Sequence, residues 1–529
     1  MMEKRRFFVS QGVLLAVLMA ATSCGSSSSG TTTTTTDTSS TVPSDIVVSS
    51  PTASTSGSTS ITVKSVTKAG KPGDADADDY ASKREALQTL IAGSGECSFT
   101  LEIPTITDVN CYGPNIDFVV HPNATQPDGN TTDDGMEDDD GFLPGGDTGI
   151  WNPTQGTQAC AAAKMNELVG KVASKVDNMI SIFGAMACAG KKAGVALPAA
   201  GAEVDLTSAF NDNVTIGNLT ISSAKLSRLA NDGDGNTVYQ STIEMSITVG
   251  QSTQTGKIVL KHIPTTSDNS TYKGKVLMSM SNATNSVNCT MAGGNTGLTD
   301  AGSILYEKTS STAVKYELNF ASFCGTSYDV SNGLDPTDKV SSSNKDGWAD
   351  NWNYGLFSLN PTNGVGSVAY AWQAGSADQR TRVLDVATTA DSDGAVSGDA
   401  YFGFGPDIAT SAGRGTINGF VCNWAGPSGA ISLMDRSSAG QQLAQHQAIS
   451  RASGASEFTA TNSEIRYAIT NSCNADAGGS FTYQAVADQQ SKTPLNMAND
   501  RTSTASAVTN NLVDLSAVTF TKPTAPSDV

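Results

Sequence analysis

The chain has 529 residues, 51 acidic and 32 basic side chains, and a formal net charge of -19. Such an acidic surface repels phosphate backbones and anionic headgroups, so nucleic-acid binding and adsorption of the folded part to lipid are excluded as expectations. The length corresponds to roughly two to four domains.

Lys4, Arg5 and Arg6 form a positive stretch, and Val13 to Ala21 form a short apolar one. Spanning a bilayer takes about 20 apolar residues, so this pattern reads as a signal peptide over residues 1–23, not as a membrane helix. It ends in Ala20-Ala21-Thr22-Ser23-Cys24. Small residues before a cysteine, directly after the apolar stretch, resemble the lipobox of bacterial lipoproteins, with Ala21 where that class usually carries leucine. The resemblance covers about the first 24 residues. It implies cleavage before Cys24, acylation of that cysteine (a palmitate-type anchor) and attachment to the cell envelope. Gly25 follows the cysteine where aspartate would mark inner-membrane retention, which implies outer-membrane sorting. The competing reading is an ordinary secretory signal with a chance cysteine.

Residues 24–75 are low in complexity, with runs at Ser26 to Ser29 and Thr31 to Thr36. Too little apolar surface is present to offset chain entropy, so a lipid-anchored tether is expected. A coil of about 50 residues reaches roughly 40 Å r.m.s.. The alternative is a tolerated insertion.

The region 76–200 reads as helical with an acidic loop. A helix begins near Asp78-Asp79, where the dipole favours acidic residues, with Tyr80, Leu87, Leu90 and Ile91 on its apolar face. Residues 95–120 look like short strands. In the loop 122–150, Asp128, Asn130, Asp133, Asp134, Glu137, Asp138, Asp139, Asp140 and Asp147 crowd a glycine-rich stretch. Clustered oxygens of this kind suit calcium, with Asp133, Asp134, Glu137, Asp138, Asp139 and Asp140 as ligands. No other cofactor is expected. Without EF-hand spacing, a solvated, self-repelling loop is the plainer reading.

Met165, Leu168, Val169, Val172, Val176, Met179, Ile180, Phe183 and Met186 then recur at helical spacing. They predict one long amphipathic helix over about 158–189, ended by Gly190, Gly194 and Pro198.

From about 201 to 529 the period becomes two. Tyr239, Ile243, Met245, Ile247 and Val249 share a face, as do Val314, Tyr316, Leu318 and Phe320, then Val368, Tyr370 and Trp372, Ile465, Tyr467 and Ile469, and Phe481 with Tyr483. Turn signals stand at Asn231-Asp232-Gly233, Asn363-Gly364, Asp393-Gly394 and Gly478-Gly479. The fold class expected is mainly β with a smaller helical part (α+β). A large antiparallel sheet, a sandwich or partly open barrel with one face in water, would be packed by the long helix. A membrane barrel shows similar alternation, but residues 523–529 are polar and lack an aromatic-terminated strand.

Besides Cys24, eight cysteines occur: Cys97, Cys111, Cys160, Cys188, Cys289, Cys324, Cys422 and Cys473. In an exported chain they allow up to four disulfides. Strand parity points all of the last four inward and predicts Cys289–Cys324 and Cys422–Cys473. One continuous helix would separate Cys160 from Cys188 by roughly 42 Å, against about 7 Å for a disulfide. Each should therefore pair with Cys97 or Cys111.

Catalytic signatures are sparse. His121, His262 and His446 stand in no metal-ligand spacing, and there is no nucleophile elbow, phosphate loop or dinucleotide fingerprint. Asp232-Gly233-Asp234-Gly235-Asn236 begins like a calcium loop, but Thr237 and Ile243 break it, so a hairpin turn fits better. Trp348, Trp352 and Tyr354 beside Asp346, Asp350 and Asn351 suggest either a sugar-stacking platform or plain core. The sequence thus reads as a non-enzymatic envelope protein binding a surface polymer or protein, or serving a structural role. A carrier holding an apolar ligand between sheet and helix, or a carboxylate hydrolase, are the alternatives.

Overall fold

The computed structural model describes residues 38–47, 79–101, 161–217, 219–249, 252–282, 298–324, 348–374, 381–405, 423–424, 431–432, 443–453, 466–469, 471–475, 481–485, 512–513 and 520–529. A 3-10 turn at Thr38–Thr41 precedes α1 (Asp79–Ala92) and α2 (Ala161–Lys192). Then come β1 (Glu203–Asp205), α3 (Thr207–Asn213), β2 (Leu219–Arg228), β3 (Tyr239–Val249), β4 (Ser252–Pro264), β5 (Tyr272–Asn282), β6 (Leu298–Ser310) and β7 (Ala313–Cys324). The chain continues through β8 (Trp348–Leu359), β9 (Gly366–Ala374), β10 (Thr381–Ala390), β11 (Val396–Gly405), β12 (Asn423–Trp424), β13 (Ile431–Ser432) and β14 (Leu443–Arg451). It ends with β15 (Arg466–Ile469), β16 (Asn471–Ala475), β17 (Phe481–Ala485) and β18 (Leu512–Val513).

The protein is mainly β, and its sheet is open. Among the described residues, fourteen of its strands run in the order β1 to β11, β14, β15, β18. Each neighbouring pair is antiparallel except β15–β18. The expected alternation holds: Val314, Tyr316, Leu318 and Phe320 lie in one buried cluster with α1, α2 and α3. Tyr239, Ile243 and Met245, and Val368, Tyr370 and Trp372, belong to that same cluster. A bulge between Ile221 and Ser223 lets Ile221 and Ala224 both face it.

One face was expected to meet water, yet the other face of the central strands is buried as well. There Leu277, Ala301, Ala321, Trp352, Tyr354, Leu356, Ala369, Ala371 and Val383 form a second cluster, with Phe520 against it. Residues 520–529 cross this face: Phe520 meets the Tyr401 ring at 6.1 Å, Lys315 donates to the Thr524 hydroxyl at 2.8 Å, and Lys275 lies 3.7 Å from Asp528.

Residues 38–47, expected to be tether, are instead packed. Val42, Ile46 and Val47 are buried in the helix-side cluster, and the Thr38 hydroxyl donates to the Ala187 carbonyl at 2.8 Å. Of the strands expected over 95–120, residues 95–101 form none, and the remainder lies outside the described residues. The loop 122–150 lies outside them too.

Among the described residues, the helical part comprises three α-helices. Residues Met179 to Gly190 of α2 are buried on all sides, so this stretch is enclosed, not laid on a surface by one stripe. Leu87, Leu90 and Ile91 of α1 close over Gly184, each within 3.3 Å of where a Cβ would stand.

In a meander the connections alternate between two ends of the sheet. At one end lie residues 229–238, 265–271, 311–312, 360–365 and 391–395; at the other, β3 ends at Val249 and β4 begins at Ser252. The connections at the first end are short and tightly bonded. Asp232 accepts the amides of Asp234 and Asn236 at 3.0 and 2.8 Å, and Asp391 accepts those of Asp393 and Ala395 at 2.9 Å. Gly235 and Gly394 take φ of 85° and 83°, which glycine adopts without penalty.

Candidate functional site: a buried polar cluster at the tight-turn end

A buried polar grouping fastens residues 38–47. Asp45 is only 2 % exposed and is bound by Lys308, by Arg84 at 2.5 Å and by Gln88 at 2.8 Å. Lys308 lies inward on β6, while Arg84 and Gln88 lie one turn apart on α1. The Asp45 amide donates to the Tyr272 hydroxyl at 3.1 Å, and Lys308 stands 5.7 Å from the centre of that ring. Burial pushes the Asp45 carboxyl up, but hydrogen bonds and charge from Lys308 and Arg84 outweigh it and hold the group below its ordinary value.

Beside it runs a neutral chain of hydrogen bonds. His262 Nε2 faces Asn269 Oδ1 at 2.9 Å, and Asn269 Nδ2 donates to the Val42 carbonyl at 3.0 Å. That fixes the amide orientation, so Nε2 carries the imidazole proton. Nδ1 then accepts from the Tyr306 hydroxyl at 2.9 Å. Burial pushes the His262 pKa down to about 4, partly offset by the Asn269 bond, so the ring is neutral at pH 7. Burial likewise raises Tyr306 well above the ordinary phenol range. Asn269, at φ 55°, turns the β4–β5 connection so that its amide reaches the docked segment.

Gly274 makes the chain geometrically available. It is the direct neighbour of His262 on β4 and of Tyr306 on β6. Without a side chain there, Tyr306 lies across β5 to His262; a Cβ would overlap the Tyr306 hydroxyl and the Lys261 carbonyl. Gly274→Ala is expected to destabilise by about 1–3 kcal/mol, read as a lowered urea midpoint. An unchanged midpoint would show that Tyr306 has room to move.

Chemically, this arrangement fastens a segment. Asp45, Lys308, His262 and Tyr306 are all buried, and each has its partners inside the chain. Sequence reading missed Asp45, Arg84, Gln88 and Lys308, which are distant in sequence. The available signal was Val42 with Ile46-Val47-Val48, an apolar grouping in the Ser/Thr-rich stretch.

The residues singled out from the sequence are dispersed. Cys97 and Cys188 form a disulfide with Cα atoms 5.4 Å apart, as expected for a Cys188 that cannot reach Cys160. Cys24, Cys111, Cys160, Cys289 and Cys422 lie outside the described residues, as do Asp133, Asp134, Glu137, Asp138, Asp139, Asp140 and His121. Cys324 closes β7 opposite Leu298, Cys473 stands on β16 opposite Tyr483, and His446 stands on β14 opposite Tyr401. Their side chains, and that of Trp348, lie outside the description.

Trp352 and Tyr354 are core rather than platform: both are buried, and the Trp352 indole donates to Asn319 Oδ1 at 2.6 Å. The Asp232 loop is a hairpin turn with Lys273 at 3.2 Å from its carboxylate. Hydrogen bonds from Asn236 and that lysine outweigh burial and bring Asp232 down to about 2. Among the described residues, no group of three or more His, Cys, Asp or Glu stands in metal-binding proximity.

Asp385 is a second buried carboxyl, on the opposite face of β10 under residues 520–529. Its Oδ1 has no hydrogen-bond partner. Burial pushes its pKa well above the usual carboxylate range, only partly countered by the charge of Lys522. Asp385→Leu is therefore expected to stabilise by about 1–3 kcal/mol at pH 7. The ionisation part of the cost arises once the unfolded chain ionises, so that part of the gain should be absent below about pH 3.8 and grow as pH rises through the raised folded value. Urea midpoints at pH 3 and pH 7 measure it; an equal gain at both would refute the ionisation account.

Comparison with protein-family models, curated proteins and solved structures finds no match to the chain.

Proposed function

We propose that this is a lipid-anchored protein of the bacterial cell envelope, sorted to the outer membrane, whose body is a non-enzymatic binding or structural unit. In this reading the open sheet is a partly open barrel wound about α2. The observation that carries it is the filled interior: Met179 to Gly190 are buried on every side, and strands from β2 to β14 share one cluster with them. A helix so enclosed serves as core, which favours a rigid body over a carrier with a helical lid.

Three further features support the placement. The lipobox-like Cys24 supplies an anchor. The Cys97–Cys188 bond fits an oxidising compartment. The solvent side of β1 to β4 carries the pairs Lys225–Glu203 at 2.9 Å and Lys257–Glu244 at 3.4 Å. A transmembrane barrel carries the reverse pattern, apolar outward and polar inward.

The test is native mass spectrometry of the protein extracted from bacterial membranes. The expected mass begins at an acylated Cys24, includes an intact Cys97–Cys188 bond and carries no apolar ligand. Co-purified lipid in the body at stoichiometric amount would overturn the reading in favour of a carrier. A mass that retains Met1 to Ser23 with free thiols would overturn the envelope placement.

A further inference from the structure

The docked segment Thr38–Val47 changes what an anchor at Cys24 would do. Its position is fixed at one end of the body. Val42, Ile46 and Val47 are buried, Asn269 of the β4–β5 turn holds the Val42 carbonyl, Lys308 near the β6–β7 turn holds Asp45, and Tyr316 donates to the Val47 carbonyl at 3.4 Å. All of these lie at the tight-turn end of the sheet. The chain between anchor and body is therefore residues 25–37, not the whole low-complexity stretch. Fourteen Cα steps span at most about 50 Å, whatever their conformation.

β4 and β6 have 13 residues each. At about 3.3 Å per residue they put the two ends of the sheet roughly 40 Å apart. Turning the body over, with its other end to the bilayer, would use nearly the full extension of residues 25–37 merely to run back along the strands. Chain entropy opposes that extension.

We propose that Thr38–Val47 is an orienting plug: it holds the tight-turn end toward the bilayer and turns the opposite end of the sheet, where β3 ends and β4 begins, away from it. The inference rests on acylation of Cys24. It adds that the body has a defined up and down on the membrane, set by buried polar bonds over 200 residues apart in sequence.

Energy transfer to a lipid-borne acceptor tests it. Full-length acylated protein is reconstituted into phosphatidylcholine vesicles containing a rhodamine-headgroup lipid. A donor is introduced through a genetically encoded amino acid at Thr312, exposed in the β6–β7 turn, or at Thr253, exposed near the start of β4. Transfer from Thr312 should exceed transfer from Thr253 several-fold. Inserting 30 Gly/Ser residues between Thr36 and Asp37, which leaves the body untouched, should collapse the difference. Equal or reversed transfer in protein that floats with the vesicles overturns the orientation while leaving the anchor standing. Protein that fails to float, and behaves like a Cys24→Ala control, overturns the anchor and the orientation with it.

Discussion

Replacing Cys97 and Cys188 together with alanine is expected to lower the unfolding free energy by roughly 4 kcal/mol. The bond closes a loop of 91 residues, and the loop-closure entropy removed from the unfolded chain at that length is about 4–5 kcal/mol in the chain-entropy model. Both cysteines are fully buried, so alanine leaves only a small void and no orphaned polar group. Cys97 follows α1 and Cys188 lies near the end of α2, so the bond ties together the ends of two helices that also meet through Lys83–Asp177 at 3.4 Å. A urea titration of the double variant against the parent checks it. Reducing agent should shift the parent midpoint in the same direction, and by more than it shifts the variant. Coincident curves for parent and variant would mean that the bond does not form in solution. Single substitutions should cost at least as much as the pair, because each leaves a buried thiol exposed to mispairing with one of the other cysteines.

Much of the sheet was readable because one face packs against helices and side chains alternate strictly along a strand. Val314 to Phe320 needed no more than that. The second buried face was harder. In the run Val368-Ala369-Tyr370-Ala371-Trp372, period two picks out Val368, Tyr370 and Trp372, yet the intervening alanines are buried too. A continuous apolar run is the mark of a strand covered on both sides. Its cover, residues 520–529, is polar and proline-containing, so nothing in its own composition announced a packing role.

The helix shows the same limit. Its apolar stripe was plain, but Ile180 to Gly190 carries no charged residue on any side, and small residues at Gly184, Ala185, Ala187 and Ala189 allow close approach all round. The polar cluster was illegible for a different reason. Asp45 and Lys308 are 263 residues apart, and pairing at that separation is decided by topology, which no local pattern encodes. His262 is fully buried, and its place in a chain ending on the Val42 carbonyl depends on Gly274 standing opposite it, which its sequence surroundings do not announce.

Asp45→Ala is expected to destabilise the protein by about 3–5 kcal/mol, because it strands Lys308, itself 8 % exposed, without its counter-charge. The loss arises chiefly from that uncompensated ammonium. Arg84 is 28 % exposed and turns to water. Asp45→Ala combined with Lys308→Met should therefore recover most of the loss, since a matched apolar replacement removes both the charge and its desolvation cost. The pH dependence follows from the depressed carboxyl. Its contribution is fully present above the ordinary aspartate value of 3.8 and fades as pH falls through the lower folded value. Wild type and Asp45→Ala should thus converge in strong acid and differ most near neutrality. Urea midpoints for the two single variants and the double variant, at pH 7 and pH 3, make the test. A double variant no more stable than Asp45→Ala would refute the stranded-charge account and point to the lost Gln88 and Arg84 bonds instead. If the single variant instead shifts stability by under about 1 kcal/mol, the pair is no more than a surface ion pair, and the docking of residues 38–47 rests on Val42, Ile46 and Val47 alone.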